Sequence, residues 1–486
     1  MNFKEAFSRI LDVEAKEVVN DLSWHNINVW PLVRQCIWLE LTQASEKVKS
    51  ARSSVRGMPL SLRLFKRIFA AAFSFRVRYP SIGEETVAFI SRPTYLQALP
   101  NGALFDRIVD PLIFCMPSNA VYAKYYVAPW SKGEVLNYPA TLLRPSRLSS
   151  LNIPEAHRTL LVRVAREVGI EPDKLLWLYG KNLNAFASWL QTARHFLESR
   201  GNLKTIYLSS WYFPDMMALV VAARERGIKT IDVQHGKQGK LQAMYSGWRI
   251  PEKGYQMMPD IFWNWGKSSA EHILASSPDR RIHRPIIGGF PWLDYYRQHV
   301  SSHVVSDYKA TGKRILVTTQ SPHGVNNQPI PDFILDFMRE SKRIVTFIFR
   351  CHPNDPSGPE YCRRRLSDLP SELFRVDDGR SNLYDSLMGV THHITANSSC
   401  CYEASAFGVP TLLFGLDARS IYKDEIDNGL FSWTPGSSAD LEMWLEENNS
   451  PEDPNDVVYI SSSLESTEAI LRHAENGSFN YYESTK

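Results

Sequence analysis

Cysteine is scarce and unpatterned. The six cysteines among 486 residues, at positions 36, 115, 351, 362, 400 and 401, form no CxxC pair and no spacing suited to zinc or a small disulfide framework. They read as reduced packing residues. Long apolar runs are also missing, since no window approaches the roughly 18 to 20 apolar residues of a membrane-spanning helix. Lys4, Glu5, Asp12 and Glu14 interrupt the stretch where a secretory signal needs an unbroken apolar core. The expectation is a cytoplasmic protein. Net charge is only +3 over the whole chain, which argues against a nucleic-acid partner. No repeat, low-complexity tract or DxD-type metal motif appears, so neither metal nor cofactor is expected.

What is present is a globular composition, 44% hydrophobic and 22% charged, in a chain too long for one ordinary core. From about residue 204 onward, short apolar runs rich in β-branched residues alternate with helical patterns, the signature of βα units and a parallel sheet. One set predicts strands at 204–210, 229–234, 260–265 and 284–288. A second predicts strands at 314–319, 344–350, 373–377, 392–396 and 411–414, with helices at 331–342 and 399–407 between them. Earlier strands are expected at 86–91 and 121–127, whereas 130–200 reads as helix and loop. The polar stretch 291–312 is the expected link, Gly288 and Gly289 the expected hinge. The resulting division is a helical, basic N-terminal segment 1–85, a first Rossmann-like domain 86–300 and a second one 301–486.

One stretch lacks acidic residues altogether. Between Glu46 and Glu84 stand nine basic residues (Lys47, Lys49, Arg52, Arg56, Arg63, Lys66, Arg67, Arg76, Arg78), interleaved with leucines and phenylalanines. Such a segment either lies in the headgroup layer of an anionic membrane or packs on the protein with a solvated basic face. The membrane reading predicts salt-sensitive binding to anionic vesicles and peripheral attachment at the inner face of the cytoplasmic membrane.

Three short motifs fall where strands end, and ligand groups in parallel α/β domains gather at those carboxyl ends. The first is 232–236, Asp-Val-Gln-His-Gly. His235 there suits a general base near neutral pH, with Asp232 as its alternate, and Gly236 lets the backbone pass near a ligand. The competing reading is a turn histidine bonded to backbone. The second motif, 350–354, puts Arg350 and His352 at one corner suited to a phosphate, or to a solvated turn. The third, 395–399, offers Asn397, Ser398 and Ser399 at a helix start, with Glu403 one turn on, as an anion and ribose site or as ordinary capping. His323, in the loop after the first strand of the second set, is either a further donor-side candidate or a surface-loop residue. Trp211 and Gln234 are assigned to the acceptor side with Gly236. The aromatic residues Tyr245, Trp248, Tyr255, Trp263 and Trp265 either stack sugars or fill core.

Taken together, Gln-His-Gly at 234–236, His-Pro at 352–353, and Asn-Ser-Ser at 397–399 followed by Glu403 resemble bacterial cell-surface polysaccharide transferases of the glycosyltransferase B type. The pattern is similar to capsule-synthesis transferases, CDP-glycerol glycerophosphotransferases and His-Pro/serine-motif sialyltransferases. The segment 24–34 is similar to one near the start of surface-carbohydrate proteins. The resemblance covers roughly 205–415 and implies two Rossmann-like domains facing across a cleft, with a mostly helical N-terminal extension. It implies a nucleotide-sugar donor, CMP- or CDP-linked by preference, and a polysaccharide or lipid-linked acceptor. It places His235 on the acceptor side, and His352, Ser398 and Ser399 at the donor phosphate. The chain lacks the paired-acidic-plus-glycine motif that precedes His-Pro in the sialyltransferases. A nucleotide-sugar 2-epimerase, a glycerophosphotransferase and a non-catalytic protein of the same fold are the alternatives.

Overall fold

The structure, a computed structural model, describes residues 3–50, 83–117, 120–130, 135–148, 150–277, 282–300, 312–319, 330–341, 345–352, 355, 357–379, 381–447, 459 and 463–475, the side chains of 43–50 and 473–475 excepted. His323 and most of the basic stretch 47–78 lie outside the described residues, and the side chains of Lys47 and Lys49 are among the exceptions.

Seventeen strands are described. Two short hairpins stand apart, β1 (Ser23–Trp24) with β2 (Ile27–Asn28), and β4 (Leu96–Ala98) with β5 (Leu104–Asp106). The first large sheet contains β3 (Val87–Ser91), β6 (Tyr122–Tyr126), β7 (Thr141–Leu142), β8 (Thr205–Leu208), β9 (Lys229–Val233), β10 (Ile261–Asn264) and β11 (Arg284–Ile287). Its order is β11-β10-β9-β8-β3-β6-β7, parallel throughout. The second contains β12 (Lys313–Thr318), β13 (Val345–Arg350), β14 (Phe374–Asp377), β15 (His392–Thr395), β16 (Thr411–Phe414) and β17 (Ser432–Thr434). Its order is β14-β13-β12-β15-β16-β17, also parallel.

Counted within the second sheet, that order is 3-2-1-4-5-6, and the first sheet follows the same rule with one more edge strand. Both are doubly wound, and each has a switch point where crossovers diverge: between β3 and β8, and between β12 and β15. The central strands are buried on both faces, which is why β3, β8, β10 and β16 read as mainly apolar runs rather than alternations, while β15, equally buried, carries His392 and His393. The expectation of two Rossmann-like lobes with a helical N-terminal extension is borne out. The strands expected from 204 onward all form, and β7 and β17, two and three residues long, were not anticipated.

The stretch 130–200 holds helices Glu155–Val168 and Pro172–Glu198. Against them lies the extension, helices Phe3–Lys16 and Trp30–Ser50, joined through the β1–β2 hairpin whose turn residues His25 and Asn26 take positive φ of 49° and 64°. A buried ion pair fixes this extension. Arg34 Nη1 lies 2.6 Å from Glu14 Oε1, which also accepts a hydrogen bond from Trp30 Nε1, and Arg34 Nη2 reaches the Ser246 carbonyl. Removing one partner of such a pair costs about 3–5 kcal/mol.

Residues expected as a link instead begin a helix, Pro291–His299. Its Trp292 and Tyr296 are fully buried and meet Tyr384 of the second lobe at ring distances of 6.0 and 5.0 Å. Apolar burial therefore overrode the polar look of this stretch. Gly288 just before it is obligatory, because an added Cβ would sit 1.9 Å from the Trp263 ring. The last described helix, Leu464–Glu475, returns to the first lobe, packs on helices Asp110–Phe114 and Pro291–His299, and donates the Leu464 N–H to Asp294 at 3.0 Å.

Candidate functional site

The strand ends assemble two facing walls. On the first lobe, Arg92 follows β3, Ser209 and Ser210 follow β8, and Gln234 and His235 follow β9. Ser210 holds φ at +59°, a region that L-residues other than Gly, Asn and Asp rarely visit, so the surrounding contacts must hold it there. Those contacts are hydrogen bonds at its Oγ, 2.5 Å from Tyr95 OH and 3.2 Å from His235 Nε2. Tyr212 OH lies 3.1 Å from the same imidazole nitrogen, while Nδ1 is buried and has no partner among the described residues. Burial pushes the His235 pKa down to about 3, and the neighbouring cations Arg107 and Arg92 push in the same direction. His235 is thus a neutral imidazole with one nitrogen occupied by hydroxyls. Space around the Gly236 α-carbon is open, with no heavy atom within 4 Å of an added Cβ.

The remaining first-lobe candidates turn inward. Asp232 is fully buried, accepts the Trp211 N–H at 3.1 Å and Tyr245 OH at 3.0 Å, and its pKa is pushed up to about 8 by burial. It ties the β8 and β9 loops together behind the histidine. Trp211 is wholly buried among Tyr212, Trp248 and Phe262. Gln234 braces the loop by accepting the Trp265 N–H at 2.7 Å and the Ser269 hydroxyl at 3.0 Å, and by donating to the Gly236 carbonyl at 2.8 Å. Tyr245, Trp248, Tyr255, Trp263 and Trp265 are all buried, so of their two readings core is the one observed.

On the second lobe, His352 follows β13 and is half-buried. Its pKa is lowered by burial and by Arg107, against the pull of Asp355. Arg350, by contrast, is spent on its own lobe: Nη1 donates to Asp377 at 2.6 Å and Ser381 Oγ at 2.8 Å, and Nη2 to the Gly379 carbonyl at 3.2 Å. It pins the loop after β14. Past β15, Asn397, Ser398 and Ser399 lead into helix Cys400–Ala406. Ser398 Oγ accepts the Cys400 N–H at 3.3 Å, and the Asn397 carbonyl accepts Tyr422 OH at 3.1 Å. Glu403 is buried and accepts Tyr384 OH at 3.0 Å, its pKa raised by burial.

A residue the sequence reading passed over joins the walls. Arg107, after the β4–β5 hairpin of the first lobe, places Nη1 3.9 Å from Glu403 Oε1 of the second. The same guanidinium is within electrostatic reach of His235, His352, Cys400 and Tyr384. Arg107 and Glu403 thus meet between the lobes, with His235 and His352 each in the field of that arginine, while Asp232, Trp211, Gln234 and Arg350 turn into their own lobes. Arg92 was passed over too. Although it follows a strand directly, its Nη2 is held by Asp215 and its guanidinium lies 4.3 Å over the Phe213 ring. Lys237 was likewise missed. Among the described residues no group of three or more His, Cys, Asp and Glu is arranged to hold a metal ion. No described helix is long and apolar enough to cross a membrane.

No family model matches the chain, and no curated protein matches it. Solved structures do. The structure of S. aureus MnaA with UDP superposes with a TM-score of 0.50 at 11% identity, covering 80% of this chain and 96% of that one. A UDP-GlcNAc 2-epimerase from Neisseria meningitidis bound to UDP-GlcNAc gives 0.49 at 13% identity, over 80% and 99% of the two chains. A variant of the wall teichoic acid polymerase TagF gives 0.44 at 12%, over 87% and 98%. Identities this low speak to fold alone, and the fold conclusion rests on the 0.50 superposition together with the strand orders. That fold is the glycosyltransferase B arrangement of two doubly wound lobes.

Proposed function

We propose that the protein is a glycosyltransferase that moves a sugar or sugar-like unit from a nucleotide carrier, CMP- or CDP-linked by preference, to a surface-polysaccharide or lipid-linked acceptor. One observation carries the reading: Arg107 of the first lobe reaches Glu403 of the second at 3.9 Å, and its charge lowers the pKa of His235 on one lobe and of His352 on the other. A nucleotide leaving group brings negative charge, and Arg107, His352 and the hydroxyls of Ser398 and Ser399 form a donor set that neutralises it without a metal. The acceptor hydroxyl attacks the donor carbon, the new C–O bond forms as the bond to phosphate breaks, and His235 takes the hydroxyl proton.

The low pKa of His235 fits this scheme only with donor bound. Burial, the larger cause, persists, but phosphate next to Arg107 offsets the part of the depression that this cation supplies, so donor binding strengthens the base. Among carboxylates, Asp232 faces the core, and Glu403 alone of the sequence candidates reaches the shared cleft.

A thermal-shift panel of CMP, CDP, UDP, GDP and ADP tests the reading, since ligand at about 100 times its dissociation constant adds roughly 2.7 kcal/mol. At least one nucleotide should stabilise the protein clearly. Indifference to all five would defeat the proposal, and conversion of a nucleotide-sugar without any acceptor would establish the epimerase instead.

A further inference from the structure

Two residues beyond His235, Lys237 leaves its own lobe. Its Nζ donates to the Ile421 carbonyl at 2.7 Å and to Glu425 Oε1 at 3.0 Å, and sits 3.7 Å from the Tyr422 ring centroid and 5.6 Å from that of Tyr402. All four partners belong to the second lobe. Tyr402 OH also donates to Glu425, so the socket is two aromatic faces around one carboxylate, and Lys237 and Glu425 keep only 14% and 6% side-chain exposure. Tyr422, a wall of that socket, donates its hydroxyl to the Asn397 carbonyl. The chain of contacts therefore runs from the His235 loop, through the lysine, to the 397–399 loop. Next to it, Lys240 and Asp424 pair at 2.7 Å on the exposed rim.

We propose that Lys237 is a positioning residue whose ammonium, seated in the Tyr402–Tyr422–Glu425 socket, fixes the closure of the cleft and sets His235 against the donor loop. Mere adhesion between the lobes does not require a charge. A methionine of similar length fills an aromatic box without the desolvation that a lysine suffers. What the charge adds is direction, because carboxylate, carbonyl and ring faces accept an ammonium at one place only. A closure held this way has a single register. The consequence for His235 rests on the transfer reading above, whereas the closure itself does not.

Hydrogen exchange by mass spectrometry on the full chain tests the closure without any substrate. In Lys237→Met, amides of 234–240 and 416–426 should exchange about a hundredfold faster, as expected when a buried pair loses one charge. Strands β8 and β13 should stay as protected as in the wild type. Lys237→Arg should restore most of the protection, and Tyr422→Phe should loosen 397–401 while leaving 234–240 protected. Unchanged exchange at both loops, equal loosening of both sheet cores, or an arginine variant as loose as the methionine one would each overturn the inference. CDP and UDP added to the same samples separate the two claims: failure of both to protect 397–401 counts against the donor site and leaves the closure result standing.

Discussion

Replacing Arg107 by glutamine removes the cation that both histidines share. At 3.9 Å from Glu403 and an effective dielectric near 20, the gross attraction is about 4 kcal/mol, which partial exposure of the arginine reduces to roughly 1–2 kcal/mol. Stability should therefore fall by about that amount, since buried Glu403 loses the cation that reaches it from the other lobe and retains the Tyr384 hydroxyl. The effect on ligand binding should be larger. Losing a hydrogen bond to a charged phosphate costs about 1.5–3 kcal/mol, a 10- to 150-fold rise in nucleotide Kd by titration calorimetry. The histidines report independently. After burial, Arg107 is among the causes that lower the pKa of both His235 and His352, so each should rise in Arg107→Gln in side-chain NMR titrations. If one histidine moves and the other does not, the two do not face a common cleft. If neither moves and nucleotide affinity stays within about threefold, the site as drawn is wrong.

The histidines should divide their labour. His352→Ala should weaken nucleotide binding by about 1.5–3 kcal/mol, whereas His235→Ala should leave affinity nearly intact and slow transfer about a hundredfold or more; the opposite pattern would reverse the lobes. Trp211→Ala should destabilise the fold by about 3–5 kcal/mol in urea unfolding, because the indole is wholly buried, and a loss below about 1 kcal/mol would return the residue to the acceptor side. Stability should decline as pH falls from about 6.5 towards 4. His283 and His393 are fully buried with pKa values pushed down to about 4 and about 3 by burial, so the unfolded chain takes up protons that the native state refuses. Each accounts for about 2 kcal/mol between pH 7 and 5, partly offset by Asp232, whose raised pKa favours the native state as pH falls; urea midpoints in which His393→Gln lost as much stability over that range as the wild type would contradict this.

His283 shows why the neutral form is built in. Its Nδ1–H faces the Pro259 carbonyl at 2.6 Å, while its Nε2 accepts the Tyr255 N–H at 3.0 Å, so a second proton would point one donor at another. His393 is similarly held between Thr318 and Thr411 hydroxyls.

Much of the scaffold could be read from residue order alone, because strands buried on both faces leave clear runs such as 87–91 and 411–414. Strand ends then located His235, His352 and 397–399. The same rule applied to 87–91 points to Arg92, and was not followed. Arg107 carries no comparable signal, since it follows a three-residue strand with no periodicity to mark it. The fate of Arg350 depended on which strand lies beside β13. Only the pairing with β14 brings Asp377 to its guanidinium, and pairing is a property of topology rather than of local sequence. Asp232 illustrates a different loss: in a strand covered on both faces, a carboxylate next to a motif histidine can as well face the core.

The return of helix Leu464–Glu475 to the first lobe bears on how the chain is made. As the ribosome releases the protein, the first sheet can form while the surface formed by helices Asp110–Phe114 and Pro291–His299 still awaits Ile470 and Leu471, which are almost fully buried in the finished fold. Until those two side chains arrive, apolar surface stays wet for the time it takes to add nearly two hundred further residues, on the order of ten to forty seconds at ordinary elongation rates. Nascent chains stalled within that interval are the species on which a holdase chaperone would act, and cutting the gene between the sheets would make that transient exposure permanent.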